Sequence, residues 1–274
     1  MRVRTYGTSG PVVVVLHGGP AAAGSAAPIA RGLADAFRVL EPWQRGSGET
    51  PLSVAQHVAD LHELIESCSN HARPGLVGWS WGAMLALAYS AAHPASAGAL
   101  VLVGCGTFDV KARARMKAIL DERMTDDMRR RLERIEQDVA DPDERLKAKY
   151  DIIGSLHDCD PLPPEEDPEA EAVPFDMRAH DETWNDMVRL QAEGVYPAAF
   201  AAIKAPVLML HGDCDPHPGD MIRASLVPHI PRLEYRELAR CGHSPWRERA
   251  ARAGFFAFLH RWLADKLGPS SRGA

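Results

Sequence analysis

The sequence predicts an α/β protein with a mostly parallel central sheet flanked by helices, and three observations carry that prediction. Short apolar runs rich in Val and Leu recur along the chain, stretches of helical periodicity separate them, and several runs end in Gly-containing turns. At 274 residues the chain is long enough for one such domain with an insertion.

Taken in order, Val12-Val13-Val14-Val15-Leu16 is an unbroken run ending at His17-Gly18-Gly19-Pro20, which suits a central strand covered on both faces. A helix is expected from about Ile29 to Ala36, then a short strand from Phe37 to Leu40. Ser53 can cap a helix in which Val54, Val58, Leu61, Leu64 and Ile65 recur at helical spacing. Leu76-Val77 leads into a Gly-rich turn, and a helix from about Trp81 to His93 stops before Pro94. Ala99 to Val103 reads as another buried strand.

The pattern changes after Gly106. Residues 107 to about 150 carry dense charge of both signs, as exposed helices do, and 151 to 200 are acidic, with a Pro-rich run over 161–169. The α/β rhythm resumes at Ala205 to Leu210, followed by a strand near Leu233 to Leu238, the loop Arg240-Cys241-Gly242-His243 and a closing helix from about Arg247 to Lys266. The expected organisation is a core of residues 1–106 and 201–268, a helical lid over 107–200 and a flexible tail over 269–274. An insertion between two strands of such a sheet can cover the strand ends, where ligands bind.

Composition narrows the function. About 46% of the residues are hydrophobic and 25% charged, with a formal net charge of −6, which argues against a nucleic-acid surface. No apolar run approaches a membrane span. Met1 to Tyr6 lead into a strand pattern with no apolar leader before them, so no signal peptide is expected. Five scattered cysteines without a C-x-x-C pair read as free thiols in a reducing compartment, the cytoplasm by default. Cys214 and Cys241 are read as small buried space-fillers.

The chemistry centres on Gly78-Trp79-Ser80-Trp81-Gly82. This G-x-S-x-G pattern, with an apolar strand before it and a helix after it, is a nucleophile elbow: the turn is so tight that its outer positions must be small. Ser80 is the candidate nucleophile. A serine hydroxyl needs a base to take its proton and an acid to orient that base. His243, in the loop after the last strand, is the candidate base. Asp213, Asp215 and Asp220 follow the strand ending at Leu210. Asp215 is favoured as the acid and Asp213 is the alternative, with a structural role of bonding loop backbone. Two N–H donors are needed for the oxyanion, and the backbones of Trp81 and Gly19 are the candidates. His17 reads as a loop-bracing residue.

With these residues in place, the chain resembles the α/β-hydrolase superfamily over nearly its whole length, and within it the prolyl aminopeptidase (proline iminopeptidase) group of serine hydrolases. His17-Gly18-Gly19-Pro20 matches that group's H-G-G-P loop, Gln44-Arg45-Gly46-Ser47-Gly48 resembles its Q-R-G-x-G segment, and Trp81 follows the serine as it does there. The resemblance implies an α/β-hydrolase fold with Ser80, Asp215 and His243 as nucleophile, acid and base. It also implies eight strands, of which the first is expected to be missing here. Trp43 stands where the group has Asp, Ala21 follows the H-G-G-P loop where the group has Gly, and Trp184 is followed by Asn185 where the group has a Trp-Glu pair holding the substrate amine. If an acidic residue of 151–200 binds a substrate ammonium, Asp181-Glu182-Thr183-Trp184 is the neighbourhood expected to supply it; a solvated acidic face is the simpler reading.

The expectation is therefore a serine hydrolase that cleaves an acyl bond (peptide, amide or ester) of a small molecule or short peptide, without cofactor or metal. A carboxylesterase or lactonase is the alternative within the class, and a non-catalytic ligand-binding protein the alternative outside it. Serine at position 80 disfavours an aspartate-nucleophile relative, and no H-E-x-x-H helix suggests a metallohydrolase.

Overall fold

The computed structural model describes residues 1–68, 73–163 and 175–268. Most of the Pro-rich acidic run (164–169) and the tail 269–274 lie outside the described residues.

The β-branched runs become the centre of the sheet. Val12–Leu16 is β2, following an edge strand β1 (Val3–Tyr6); β3 is Arg38–Pro42, β4 Gly75–Trp79, β5 Ala99–Val103, β6 Val207–Gly212 and β7 Glu234–Leu238. Among the described residues the sheet has seven strands in the order β1-β3-β2-β4-β5-β6-β7. Only β1 runs antiparallel, against β3; all other pairings are parallel. Such a sheet needs cover on both faces, and the alternation of side chains provides two apolar surfaces. Val14, Leu16, Leu76, Leu100, Leu102 and Met209 face one core, packed by α2 (Val54–Cys68), α3 (Trp81–Ala92) and α8 (Gly219–Leu226). Val13, Val15, Val77, Val101, Val103 and Leu210 face the other, packed by α1 (Ala27–Leu33) and α9 (Arg252–Leu267).

Between β5 and β6 the chain leaves the sheet for α4 (Val110–Arg123), α5 (Asp126–Asp138), α6 (Pro142–Gly154) and α7 (Met177–Ala192). Their N-termini are capped by Asp109, Thr125, Asp141 and Asp176, each accepting a backbone N–H of the first turn. Ser53 forms a reciprocal pair with Gln56 at the start of α2: the Gln56 N–H donates to Ser53 Oγ and the Ser53 N–H to Gln56 Oε1. No helix among the described residues is long and apolar enough to cross a membrane.

Two helices depart from their expected bounds. α1 starts and stops earlier than Ile29–Ala36. The last helix begins at Arg252 rather than Arg247: Pro245–Arg247 form a 3-10 turn, and Glu248 is extended with ψ 123°. The reason is Glu248 itself, which turns inward and is fully buried.

Register sets the site. Leu16 pairs with Gly78, Trp79 with Val103, Val103 with Leu210 and Gly212 with Leu238, so β2, β4, β5, β6 and β7 end level. The loops bearing Gly19, Ser80, Gly104, Asp215 and His243 therefore emerge along one edge, the carboxyl ends of the strands.

Candidate active site

The elbow is a packing solution before it is a chemical one. A Cβ on Gly78 would lie 2.2 Å from the Gly82 carbonyl oxygen, and one on Gly82 would lie 2.3 Å from that of Leu16. Only glycine fits at either position. Between them Ser80 is forced to φ 55° and ψ −117°, a region that non-glycine residues rarely occupy. Its N–H donates to the Val103 carbonyl at 2.9 Å, which fixes the turn to the end of β5. Trp81 opens α3; the Ala83 and Met84 N–H groups bond the Ser80 carbonyl, and the two N–H groups before them have no acceptor within the helix.

The expected oxyanion loop lies against this turn. A Cβ on Gly18 would sit 3.3 Å from the Ser80 Cβ, and Gly19 adopts φ 116°, which favours glycine. His17 is buried and braces the loop through both ring nitrogens. Its Nε2 accepts the Gln44 N–H at 3.1 Å, so Nδ1 carries the proton and donates to the Gly18 carbonyl at 2.8 Å. Burial holds this imidazole neutral, its pKa lowered to about 4. Gln44 then joins the start of the His17–Pro20 loop to Trp81: its Nε2 donates to the His17 carbonyl at 3.2 Å and its Oε1 accepts Trp81 Nε1 at 2.7 Å. In the sequence Gln44 stands only as the first residue of the Q-R-G-x-G segment, and no spacing signals this bridge.

The Asp215 and His243 loops converge at Trp79, which ends β4 at the elbow, and at Gly104, which follows β5. Trp79 Nε1 donates to the His243 carbonyl at 3.1 Å, and a Cβ on Gly104 would lie 2.9 Å from His243 Nδ1. Asp215 Oδ2 is 2.8 Å from His243 Nδ1. A carboxylate only accepts, so Nδ1 donates and Nε2 keeps its lone pair. The side chain of Asp215 is fully buried. Burial pushes its carboxyl up, but the charges of His243, His211 and His217, with a His217 hydrogen bond, outweigh it and hold the pKa well below the usual value. Burial lowers the His243 pKa, with Asp215 opposing. Asp213, the alternative acid, is turned to the backbone instead, accepting the N–H groups of Arg240 and Cys241 at 3.0 Å each.

Three further histidines crowd this pair, and none was singled out from the sequence. His217 Nδ1 donates to Asp215 Oδ1 at 3.0 Å, and its ring stacks on His243 at 4.4 Å and 17°. His211 Nε2 lies 3.2 Å from Asp215 Oδ2 and 2.8 Å from the His217 carbonyl. His157, just after α6, packs 5.4 Å from His243, and its carbonyl accepts the His243 N–H at 2.8 Å. Asp215, His217 and His243 offer ligand atoms within 4.8 Å of one another, a spacing a metal ion could span. The two Nδ1 protons, however, already point at the carboxylate, an arrangement that orients imidazoles rather than opening a metal cradle.

The buried Glu248 ties the α6–α7 connection to the His243 loop. It accepts the N–H groups of Cys159 at 2.9 Å, Asp160 at 2.8 Å and Gly242 at 3.0 Å. The carboxylates of α7 do similar work elsewhere. Glu182 accepts the Leu52 N–H and Asp186 the Val54 N–H, both at 2.8 Å, while Asp176 accepts the N–H and hydroxyl of Ser47. Thr183 bonds His57, Asp181 sits beside His180, and Asn185 is exposed. Of the two cysteines read as fillers, Cys241 is buried, but Cys214 is only half-buried because it faces Cys159.

The sequence profile of the Alpha/beta hydrolase family matches residues 13–253. The chain belongs to this family. Proline iminopeptidases are similar over a shorter stretch: that of Neisseria gonorrhoeae is 38% identical over 104 residues, 35% of this chain and 33% of the relative. That of Arabidopsis thaliana is 40% identical over 103 residues, 35% of this chain and 27% of the relative. The matches thus span about a third or less of the length of these curated relatives. Among solved structures, a thermophilic esterase from Thermogutta terrifontis aligns over 97% of this α/β hydrolase and 93% of its own chain, with a TM-score of 0.64 and 19% identity. An enol-lactonase from Burkholderia xenovorans LB400 aligns over 96% of each chain, with a TM-score of 0.60 and 20% identity. These likenesses establish the fold.

Proposed function

We propose that this α/β hydrolase cleaves an acyl bond through an acyl-enzyme on Ser80, with His243 as the base and Asp215 as the acid. One observation carries the reading: the strand-to-helix turn that holds a serine at φ 55° is tied through Trp79 Nε1 to the loop of a buried imidazole whose Nδ1 is committed to a carboxylate. Ser80 Oγ attacks the carbonyl carbon while its proton passes to His243 Nε2. Asp215 stabilises the imidazolium, and the N–H groups of Trp81 and Gly19 receive the oxyanion. The imidazolium protonates the leaving group, and water repeats the sequence to release the acid. The helices between β5 and β6 act as a lid over this site.

The similarity to proline iminopeptidases supports an N-terminal prolyl bond as substrate. A specific observation favours an ester or lactone instead. Asp176, which caps α7, and Glu182 and Asp186 within it are engaged by the Ser47–Val54 stretch, and Asp181 sits against His180, so a substrate ammonium would compete for occupied acceptors. A fluorophosphonate probe should label Ser80 and fail on His243→Ala; no labelling of the wild type defeats the hydrolase reading and leaves ligand binding. Prolyl anilides run beside short-chain and long-chain nitrophenyl esters, with Ser80→Ala as control, decide between the substrates. The acid limb of kcat/KM should fall below pH 6.5, the ordinary histidine value, because burial lowers His243.

A further inference from the structure

Two thiols 55 residues apart in sequence meet beside the candidate acid. Cys159 lies just after the 3-10 turn Ser155–His157 and is exposed; Cys214 immediately precedes Asp215 and is half-buried. Their sulfurs are 2.7 Å apart, closer than two sulfurs rest in ordinary contact.

The backbone on each side is anchored, so the meeting does not depend on free loops. Buried Glu248 holds the Cys159 N–H, and the Cys214 N–H donates to the Cys241 carbonyl at 2.9 Å. Arg123 spans both segments, donating to the Leu156 carbonyl at 2.6 Å and the Cys214 carbonyl at 2.7 Å. Of the five thiols, Cys159 alone is exposed; Cys105 and Cys241 are buried and Cys68 is half-buried at the end of α2.

We propose that Cys159 and Cys214 are a site of reversible disulfide exchange, whose bond ties the α6–α7 connection to the loop carrying Asp215. The oxidant is a low-molecular-weight disulfide. The Cys159 thiolate attacks one sulfur of it, breaking that S–S bond and releasing the first small thiolate. Cys214 sulfur then attacks Cys159 Sγ and releases the second, which leaves with the Cys214 proton. Both cysteines are oxidised by one electron each, and the small disulfide is reduced to two thiols. The order follows from the surroundings. Burial, with the neighbouring Cys159 and Asp213, pushes the Cys214 thiol up to about 12, so the exposed partner attacks first.

The test treats the folded, reduced full chain with oxidised glutathione. Thiols counted after denaturation should drop from five to three, peptide mapping should find Cys159 joined to Cys214, and dithiothreitol should restore all five. Closing so long a loop should raise the unfolding midpoint by an order of 5–10 °C. Cys159→Ser should abolish both changes, and Cys214→Ser should trap glutathione on Cys159. Five thiols persisting in the wild type overturn the proposal. So do a lasting glutathione adduct on wild-type Cys159, a bridge to Cys68, Cys241 or a second chain, and a midpoint that falls on oxidation. None of these readouts depends on the reaction assigned to Ser80.

Discussion

The sheet with its covering helices and the helical segment between β5 and β6 are held by different forces. Every residue of β5 is buried, as are ten residues of α3, whereas α5 has no buried residue. The core gains stability from apolar area removed from water, of order 1.5–3 kcal/mol for each large aliphatic side chain. The segment meets the core both through Met187, which enters the apolar cluster under α2 and α3, and through carboxylates that accept backbone N–H groups: Asp176 capping α7, Glu182 and Asp186 on it, and Glu248 beneath the α6–α7 connection. The comparison teaches that the candidate nucleophile, acid and base stand on the apolar-packed sheet, while His157 and Cys159 reach His243 and the loop of Asp215 from a segment whose attachment adds buried carboxylates to apolar contacts.

If that division is right, removing a side chain of the rigid constellation should destroy turnover and spare the fold. Ser80→Ala and His243→Ala should each lower kcat by roughly 10⁴–10⁶, with unfolding midpoints near wild type. Asp215→Asn should cost roughly 10⁴, because an amide no longer fixes the Nδ1–H tautomer. Asp213→Asn, two residues away, should instead cost about 1 kcal/mol of stability by weakening its bonds to Arg240 and Cys241 and leave turnover near wild type. Steady-state rates beside denaturant titrations read both; the reverse outcome would exchange the roles of the two aspartates.

How much of this was legible in the sequence follows the same division. β2 and β5 were bounded to the residue, because a β-branched run buried on both faces has few other ways to fold. Ser80, Asp215 and His243 could be chosen because each follows a recognisable strand, and level strand ends then bring them to one edge. Polar placements were not legible. Glu248, in Trp246-Arg247-Glu248-Arg249, has the local pattern of a surface residue, yet it is buried, and that inward turn delays α9 to Arg252. His157 reaches His243 through tertiary packing alone, and although His211 and His217 lie four residues before and two after Asp215, no pattern shows that their rings turn to it. Gln44 likewise bridges His17 and the first residue of α3, Trp81, across separations of 27 and 37 residues that no local pattern signals.

A change at the seam between the two regions should have a smaller effect than any of the three substitutions in the candidate site but be clearly measurable. Glu248→Ala leaves the N–H groups of Cys159, Asp160 and Gly242 without their buried acceptor and should cost about 3 kcal/mol, read by urea titration. A loss below about 0.5 kcal/mol would mean water replaces the carboxylate and the seam lies elsewhere.

Acid tests the same seam with a sign fixed by burial. Burial lowers His17 and His57 to about 4 and His157 to about 3, all from 6.5. Between those values and 6.5 the unfolded chain binds more protons than the folded one, so stability is full above about pH 6.5 and declines as pH falls. Each such histidine contributes at most about 1.4 kcal/mol per pH unit. His157→Gln should flatten the decline seen between pH 7 and pH 4; an unchanged slope would show that His157 meets water in solution.

The smallest effect isolates α7. Asp186 accepts the Val54 N–H at the first residue of α2, so it satisfies, from a different helix, a donor that has no acceptor within α2. Asp186→Ala should therefore cost about 1 kcal/mol, the usual worth of a helix cap, and raise amide exchange at Val54 without altering that of β5. The two readouts separate the regions cleanly, because Val54 exchange reports α7 coming away while β5 exchange reports the sheet. Equal acceleration at both sites would mean that the segment and the sheet open as one cooperative unit, and the contrast between them would dissolve.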